Sequence, residues 1–206
     1  MSTMKSRPLA VTGAVEFTPQ VFHDVRGHFF SPYQESAFVE ALGFPLFPVA
    51  QTNHSMSRRD VVRGLHYTAT PPGCAKYVYC ARGRTLDVVV DCRTGSPTFG
   101  GWDAVLLDQE SFRAVYLPIG VAHGFIALED DTVVSYLLSG TYEPQHELAL
   151  AFLDPELGLP VPSHIEPVRS ARDLVAPTLA QAAADGLLPE FAECRELERG
   201  FAQRVS

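Results

Sequence analysis

Between residues 9 and 153 the chain alternates short apolar runs with clusters of turn formers. The runs are Phe47-Pro48-Val49-Ala50-Gln51-Thr52, Lys76-Tyr77-Val78-Tyr79-Cys80, Thr85-Leu86-Asp87-Val88-Val89-Val90, Trp102-Asp103-Ala104-Val105-Leu106-Leu107 and Thr132-Val133-Val134-Ser135-Tyr136-Leu137-Leu138. They have the length of strands and the β-branched and aromatic residues that suit a pleated surface. Pro71-Pro72-Gly73, Arg82-Gly83-Arg84, Thr94-Gly95-Ser96-Pro97 and Glu129-Asp130-Asp131 divide them. Only 35–42 reads as a helix in this stretch, whereas a βαβ protein needs amphipathic helices between its strands. The pattern therefore predicts an all-β antiparallel sandwich or barrel. Beyond residue 153 the texture changes. Residues 154–162 form a turn-rich connector, and helices are predicted near 178–184 and 191–201, with Gly186 placed to end the first. The chain, 1–206, is read as one domain: a barrel core over about 9–153, then connector and short helices over about 154–206.

Composition narrows the setting. A hydrophobic fraction of 46% is ordinary for a chain with a real core. No run approaches the roughly 18 apolar residues of a membrane helix. The start, Met1-Ser2-Thr3-Met4-Lys5-Ser6-Arg7-Pro8, has charge but no apolar stretch behind it and reads as a cytoplasmic amino terminus. A net charge of −8 speaks against nucleic-acid binding, which calls for a basic face, but a few local arginines can still hold a small anion. Cys74, Cys80, Cys92 and Cys194 form no CxxC pair, so they read as buried small hydrophobes and not as a zinc site.

Two histidines stand out. In Arg63-Gly64-Leu65-His66-Tyr67, at the end of a short strand, Arg63 and His66 are three apart and would not share a face of a regular strand. Gly64 permits a bend or bulge that could turn both inward. Alone, such a histidine is more often a satisfied structural residue. Pro118-Ile119-Gly120-Val121-Ala122-His123 matches the Pro-x-Gly-x-x-His motif of the cupin barrels, in which the histidine points inward. Metal-binding cupins add His-x-His and Glu, but here the corresponding place holds only His66 between Leu65 and Tyr67. One histidine from each motif falls short of the three protein ligands a transition metal wants, so no metal and no cofactor is expected.

Among the cations, Arg26, Arg63 and Lys76 are candidates for binding an anion, while Arg58-Arg59 reads as a solvated turn. A lysine directed into a barrel either snorkels out or meets an anion, and an arginine fork matches phosphate oxygens. Tyr136 reads by default as a core tyrosine, and Asp173 as an unremarkable surface acid.

Taken in order, these segments resemble the dTDP-4-dehydrorhamnose 3,5-epimerase family of metal-independent cupins over roughly residues 9–180. The likeness is carried by Asp24-Val25-Arg26-Gly27, Gln51-Thr52-Asn53-His54-Ser55, Val62-Arg63-Gly64-Leu65-His66-Tyr67 and Lys76. It continues through Gly83, Asp87-Val88-Val89-Val90-Asp91, 95–100, 118–125 and Asp154-Pro155. The resemblance implies a cupin jelly-roll dimer with a dTDP-linked 4-keto-6-deoxy sugar in each barrel. It makes His66 the general base, Asp173 its hydrogen-bonding partner, Lys76 the cation near the keto oxygen and Tyr136 the proton donor. Arg26, Gln51, Asn53, Arg63, His123 and Tyr142 would line the sugar-diphosphate pocket, with the segment around Arg26 reaching into the partner subunit's site.

The chemistry is coherent on its own terms. A proton beside a ketone becomes acidic only if the enolate is stabilised, and a cation held near that oxygen in a water-poor barrel does so. A neutral imidazole is a suitable base near pH 7. Two departures from the family pattern, Ser31 in place of a glutamate and Leu137 in place of a lysine, fall in stretches expected to line the pocket. They point to the branch serving antibiotic deoxysugar pathways, hence to inversion at carbon 3. Alternatives are a 3,5- or 5-epimerase on the same substrate class, a sugar 3,4-ketoisomerase, a metal-dependent cupin oxygenase and a non-catalytic sugar-nucleotide binding module.

Overall fold

A computed structural model describes residues 4–203. The strands in chain order are β1 (Lys5–Pro8), β2 (Val15–Thr18), β3 (Phe22–Asp24), β4 (Gly27–Phe29), β5 (Gln51–Ser57), β6 (Val62–Thr68) and β7 (Lys76–Arg82). They continue as β8 (Arg84–Asp91), β9 (Trp102–Asp108), β10 (Ala114–Leu117), β11 (Val121–Ala127), β12 (Thr132–Leu138) and β13 (Glu147–Ala149). The helices are α1 (Glu35–Leu42), α2 (Ala171–Leu174), α3 (Leu179–Ala184) and α4 (Phe191–Gln203).

The strands pair antiparallel into two main sheets. One runs β1-β2-β10-β7-β12-β5 and the other β13-β6-β11-β8-β9; β3 and β4 form a separate hairpin. The non-sequential orders are those of a jelly roll, and the barrel is loose because the two sheets stay separate in hydrogen bonding.

Three apolar layers follow from the strand period of two. Val78, Cys80, Val89, Val105, Leu107, Val115, Leu117, Phe125 and Val134 meet between the sheets. Their neighbours point outward. Val88 and Val90 of β8, with Leu65, Tyr67, Ala122 and Ile126, are covered by Leu150 and Phe152 just after β13, by Leu157 and Ile165 of the connector and by Ala182 of α3. Phe17, Tyr77 and Tyr116 are covered on the other side by Phe38 of α1, by Phe47 and by Cys194 of α4. The uninterrupted run Val88-Val89-Val90 is thus a strand buried on both faces. Each such side chain contributes roughly 1.5–3 kcal/mol of transfer free energy.

Helix α1 occupies the expected 35–42. Thr178 caps α3 through a capping box with Gln181, and Gly186 follows its end with a φ of +66°. The run 47–52 is corrected. Its strand begins only at Gln51, since Pro48 cannot donate to a ladder, and Phe47 turns into the layer under α4. The cysteine reading holds for Cys80, Cys92 and Cys194, all buried, with their thiols pushed upward by desolvation. Cys74 differs: it is only partly buried. Among the described residues no helix is long and apolar enough to cross a membrane.

Candidate active site

At one end of the inter-sheet layer the apolar side chains give way to polar ones around a cavity of about 200 Å³. Its lining includes Asn53, Arg63, His66, Lys76, His123, Tyr136 and Tyr142. The same inward stripes that build the core supply them. On β7 the stripe reads Lys76, Val78, Cys80, and on β12 it reads Leu138, Tyr136, Val134, so each strand passes from cavity to core.

The spacing of Arg63 and His66 is resolved by a bulge. On β11, His123 pairs with His66 and Phe125 with Arg63, so β6 carries one residue more than β11 over this step. The extra residue brings both side chains to the cavity. Gly64 makes this conformation available: its φ is +106°, and a Cβ there would lie 2.5 Å from the His123 carbonyl oxygen. Gly124 answers it across the strands, where a Cβ would lie 2.7 Å from the Arg63 carbonyl oxygen.

His66 and His123 are therefore cross-strand neighbours on the wall formed by the five-stranded sheet. Lys76 and Tyr136, on β7 and β12, belong to the opposing wall. Each imidazole has its own carboxylate. His66 Nε2 is 2.6 Å from Asp173 Oδ1, and His123 Nε2 is 2.7 Å from Asp87 Oδ2. Both carboxylates are almost wholly buried. Burial lowers the pKa of His66, an effect partly opposed by Asp173 and reinforced by the positive charges of Lys76 and Arg172. The imidazole is thus neutral at pH 7. If Nε2 carries the proton donated to Asp173, the basic lone pair sits on Nδ1.

Asp173 reaches His66 because the connector is tied to β6. Val62 donates to the Val168 carbonyl and Val168 to the Asp60 carbonyl, both at 2.9 Å. Ser170 then caps α2 by accepting the Asp173 amide. On the opposite wall, Tyr136 packs against the core and faces Asn53 in the β5–β12 register. Arg63 is held by Ser57 Oγ at 3.0 Å. Among the described residues no carboxylate lies within ion-pair distance of Lys76, and so its ammonium is available to an anion or a polarised carbonyl.

Three expected site residues stand outside the lining. Asp173 sits behind His66. Gln51 acts as a brace, donating to Asn53 Oδ1 and accepting the Tyr142 amide, each at 2.8 Å. Arg26 lies on the exposed β3–β4 hairpin, paired with Asp24, and does not line this chain's cavity. Leu137, expected near the pocket, faces away into the layer with Phe38 and Tyr77, because Tyr136 before it points inward. Ser31 is likewise absent from the lining. Sequence reasoning missed Asp87, Glu147 and Cys74 as site residues; the last two line the cavity. Asp87 carried a signal, an acid on the inward stripe that continues with the core residue Val89. Among the described residues no three His, Cys, Asp or Glu side chains converge as a metal-ligand set.

Comparison with known proteins gives a consistent picture. The family model described as dTDP-4-dehydrorhamnose 3,5-epimerase matches residues 8–181. A dTDP-4-dehydrorhamnose 3-epimerase of Streptomyces niveus is 49% identical over 93% of this chain and 92% of its own length. A dTDP-4-dehydrorhamnose 3,5-epimerase of Mycolicibacterium smegmatis is 46% identical over 93% of this chain and 94% of its own. Among solved structures, ChmJ, a 3'-monoepimerase from Streptomyces bikiniensis in complex with dTDP-quinovose, superposes with a TM-score of 0.90. It is 45% identical and covers 96% of this chain and 99% of its own.

Proposed function

This chain belongs to the dTDP-4-dehydrorhamnose 3,5-epimerase family, and from that premise we propose that it inverts carbon 3 of a dTDP-linked 4-keto-6-deoxyhexose. It is an isomerase, an epimerase of dTDP-linked sugars; the choice of carbon is the finer step. One observation carries the mechanism: His66 and Tyr136 line a single cavity from opposing sheets, with Lys76 beside them.

His66 removes the proton from the carbon next to the ketone, and Asp173 orients the ring and stabilises the imidazolium that forms. The Lys76 ammonium stabilises charge developing on the keto oxygen, where low local polarity strengthens it. Tyr136 delivers a proton from the other wall, so the carbon is rebuilt with opposite configuration. Arg63, Asn53, His123 and Tyr142 hold the sugar diphosphate. We also infer a homodimer in which the β3–β4 hairpin carries Arg26 toward the partner's site. The exposed apolar side chains Phe22, Val25 and Phe29 on that hairpin support this. A cytoplasmic setting suits the four free cysteines.

A second reading, inversion at both carbon 3 and carbon 5, is favoured by the His123–Asp87 pair, which places another carboxylate-backed imidazole on the same wall. Incubation with dTDP-4-keto-6-deoxyglucose in deuterated water separates the two by NMR. Deuterium confined to carbon 3 is the expected result. Label at carbon 5 as well overturns the single-carbon assignment.

A further inference from the structure

Helix α4 does not line the cavity, yet it touches both turns that launch cavity-bearing strands. Cys194 and Glu198 are buried on its barrel side. Glu198 Oε1 accepts the Ile119 amide at 2.9 Å, in the middle of the Pro118-Ile119-Gly120 turn. A Cβ on Gly120 would lie 2.5 Å from Cys194 Sγ, so helix and turn meet with no room for a side chain. Ile119 in turn presses on the second turn. A Cβ on Gly73 would lie 2.4 Å from Ile119 Cγ2 and 3.6 Å from Leu197 Cδ1. Gly120 leads into β11 and His123, and Gly73 leads into β7 and Lys76.

A carboxyl group is a costly choice for this position. Burial raises the pKa of Glu198, opposed by the Ile119 amide and by the charges of Arg195 and Arg93. An apolar side chain would fill the space without that desolvation penalty. What the carboxyl supplies is an acceptor for a buried amide whose ladder partner is missing in the turn.

We propose that Glu198 is a positioning residue for the epimerase reaction. Through the Ile119 amide it fixes the 118–120 turn, and through the Ile119–Gly73 contact it fixes where β11 and β7 present His123 and Lys76. The inference rests on the function proposed above. Displacing Lys76, which acts on the enolate, lowers turnover, whereas displacing His123, which holds the sugar diphosphate, raises KM.

The test measures kcat and KM with dTDP-4-keto-6-deoxyglucose for wild type, E198A, E198Q and F201A. Phe201 lies on the same helix with its ring 5.9 Å from that of Phe47, so F201A loosens the helix without removing the Ile119 acceptor. The expected result for E198A is a roughly 10-fold fall in kcat with a smaller rise in KM. E198Q, whose amide oxygen still accepts from Ile119, recovers most of the turnover. F201A lowers the melting temperature but keeps wild-type kcat. The proposal is overturned by wild-type kcat in E198A, by E198Q as impaired as E198A, or by an equal loss of kcat in F201A. Absence of turnover in the wild type instead overturns the epimerase reading itself, and the positioning role with it.

Discussion

Asp173 Oδ1 lies 2.6 Å from His66 Nε2 although the two stand 107 positions apart in the chain. The carboxylate is 3% exposed at its side chain and the imidazole 30%, so the carboxylate is sealed while the imidazole stays open to the cavity. The division suits general-base catalysis, in which the base must meet substrate and its orienting group must not meet water.

The pair sets the expected pH dependence. Burial holds the folded-state pKa of His66 below 6.5, and Asp173 pulls it part of the way back. A base works only when unprotonated, so kcat/KM is expected to be level through pH 7 and to fall on the acid side with a midpoint below 6.5. D173N removes the opposing charge, and the midpoint then moves to still lower pH. The plateau drops by roughly 10²-fold or more, because an amide can stabilise the wrong tautomer. A pH–rate series on both proteins reads both effects; an acid limb that moves upward in D173N contradicts this electrostatic account.

Gly64 is expected to tolerate no side chain. Its φ of +106° is unfavourable for alanine, and the new Cβ would meet the His123 carbonyl oxygen at 2.5 Å, an atom of the backbone that cannot swing aside. G64A must straighten the bulge or push β6 from β11, and either change takes Arg63 or His66 off the cavity. Destabilisation of about 2 kcal/mol or more, read by denaturant melts, should accompany loss of turnover. A G64A protein with wild-type stability and activity would show that the bulge can form without glycine.

Much of this site was legible along the chain, and the parts that were not share a physical cause. Gly64 between Arg63 and His66 announced a bulge because no regular strand places residues three apart on one face. Pro118 and Gly120 announced the turn before His123. Asp173 was invisible locally. Its place beside His66 comes from the bridge between Val61 and Val168 that swings α2 against β6, and a four-residue helix has no period to detect. Leu137 was misplaced because a residue beside a pocket-lining one in sequence points to the opposite face of the sheet. The C-terminal helix was foreseen as an element, but its contact with two distant turns belongs to tertiary packing alone.

Tyr136 offers the sharpest separation of steps. If it supplies the proton on the wall opposite His66, Y136F keeps the base and the enolate-stabilising ammonium but loses the donor. Deprotonation then continues, and the carbon is reprotonated from the face it left. In deuterated water the expected outcome is deuterium at carbon 3 of substrate with unchanged configuration. Formation of epimerised product should fall by roughly 10²–10⁴-fold, the usual contribution of a positioned acid. Tyr136 packs on the core through its ring and has no resolved hydrogen-bond partner for its hydroxyl among the described residues, so the phenylalanine should leave the fold and the melting temperature unchanged. Exchange and inversion would be followed together by NMR. Epimerised product at the wild-type rate would move the donor role to a water, whereas loss of exchange as well as inversion would make the phenol part of the deprotonation step.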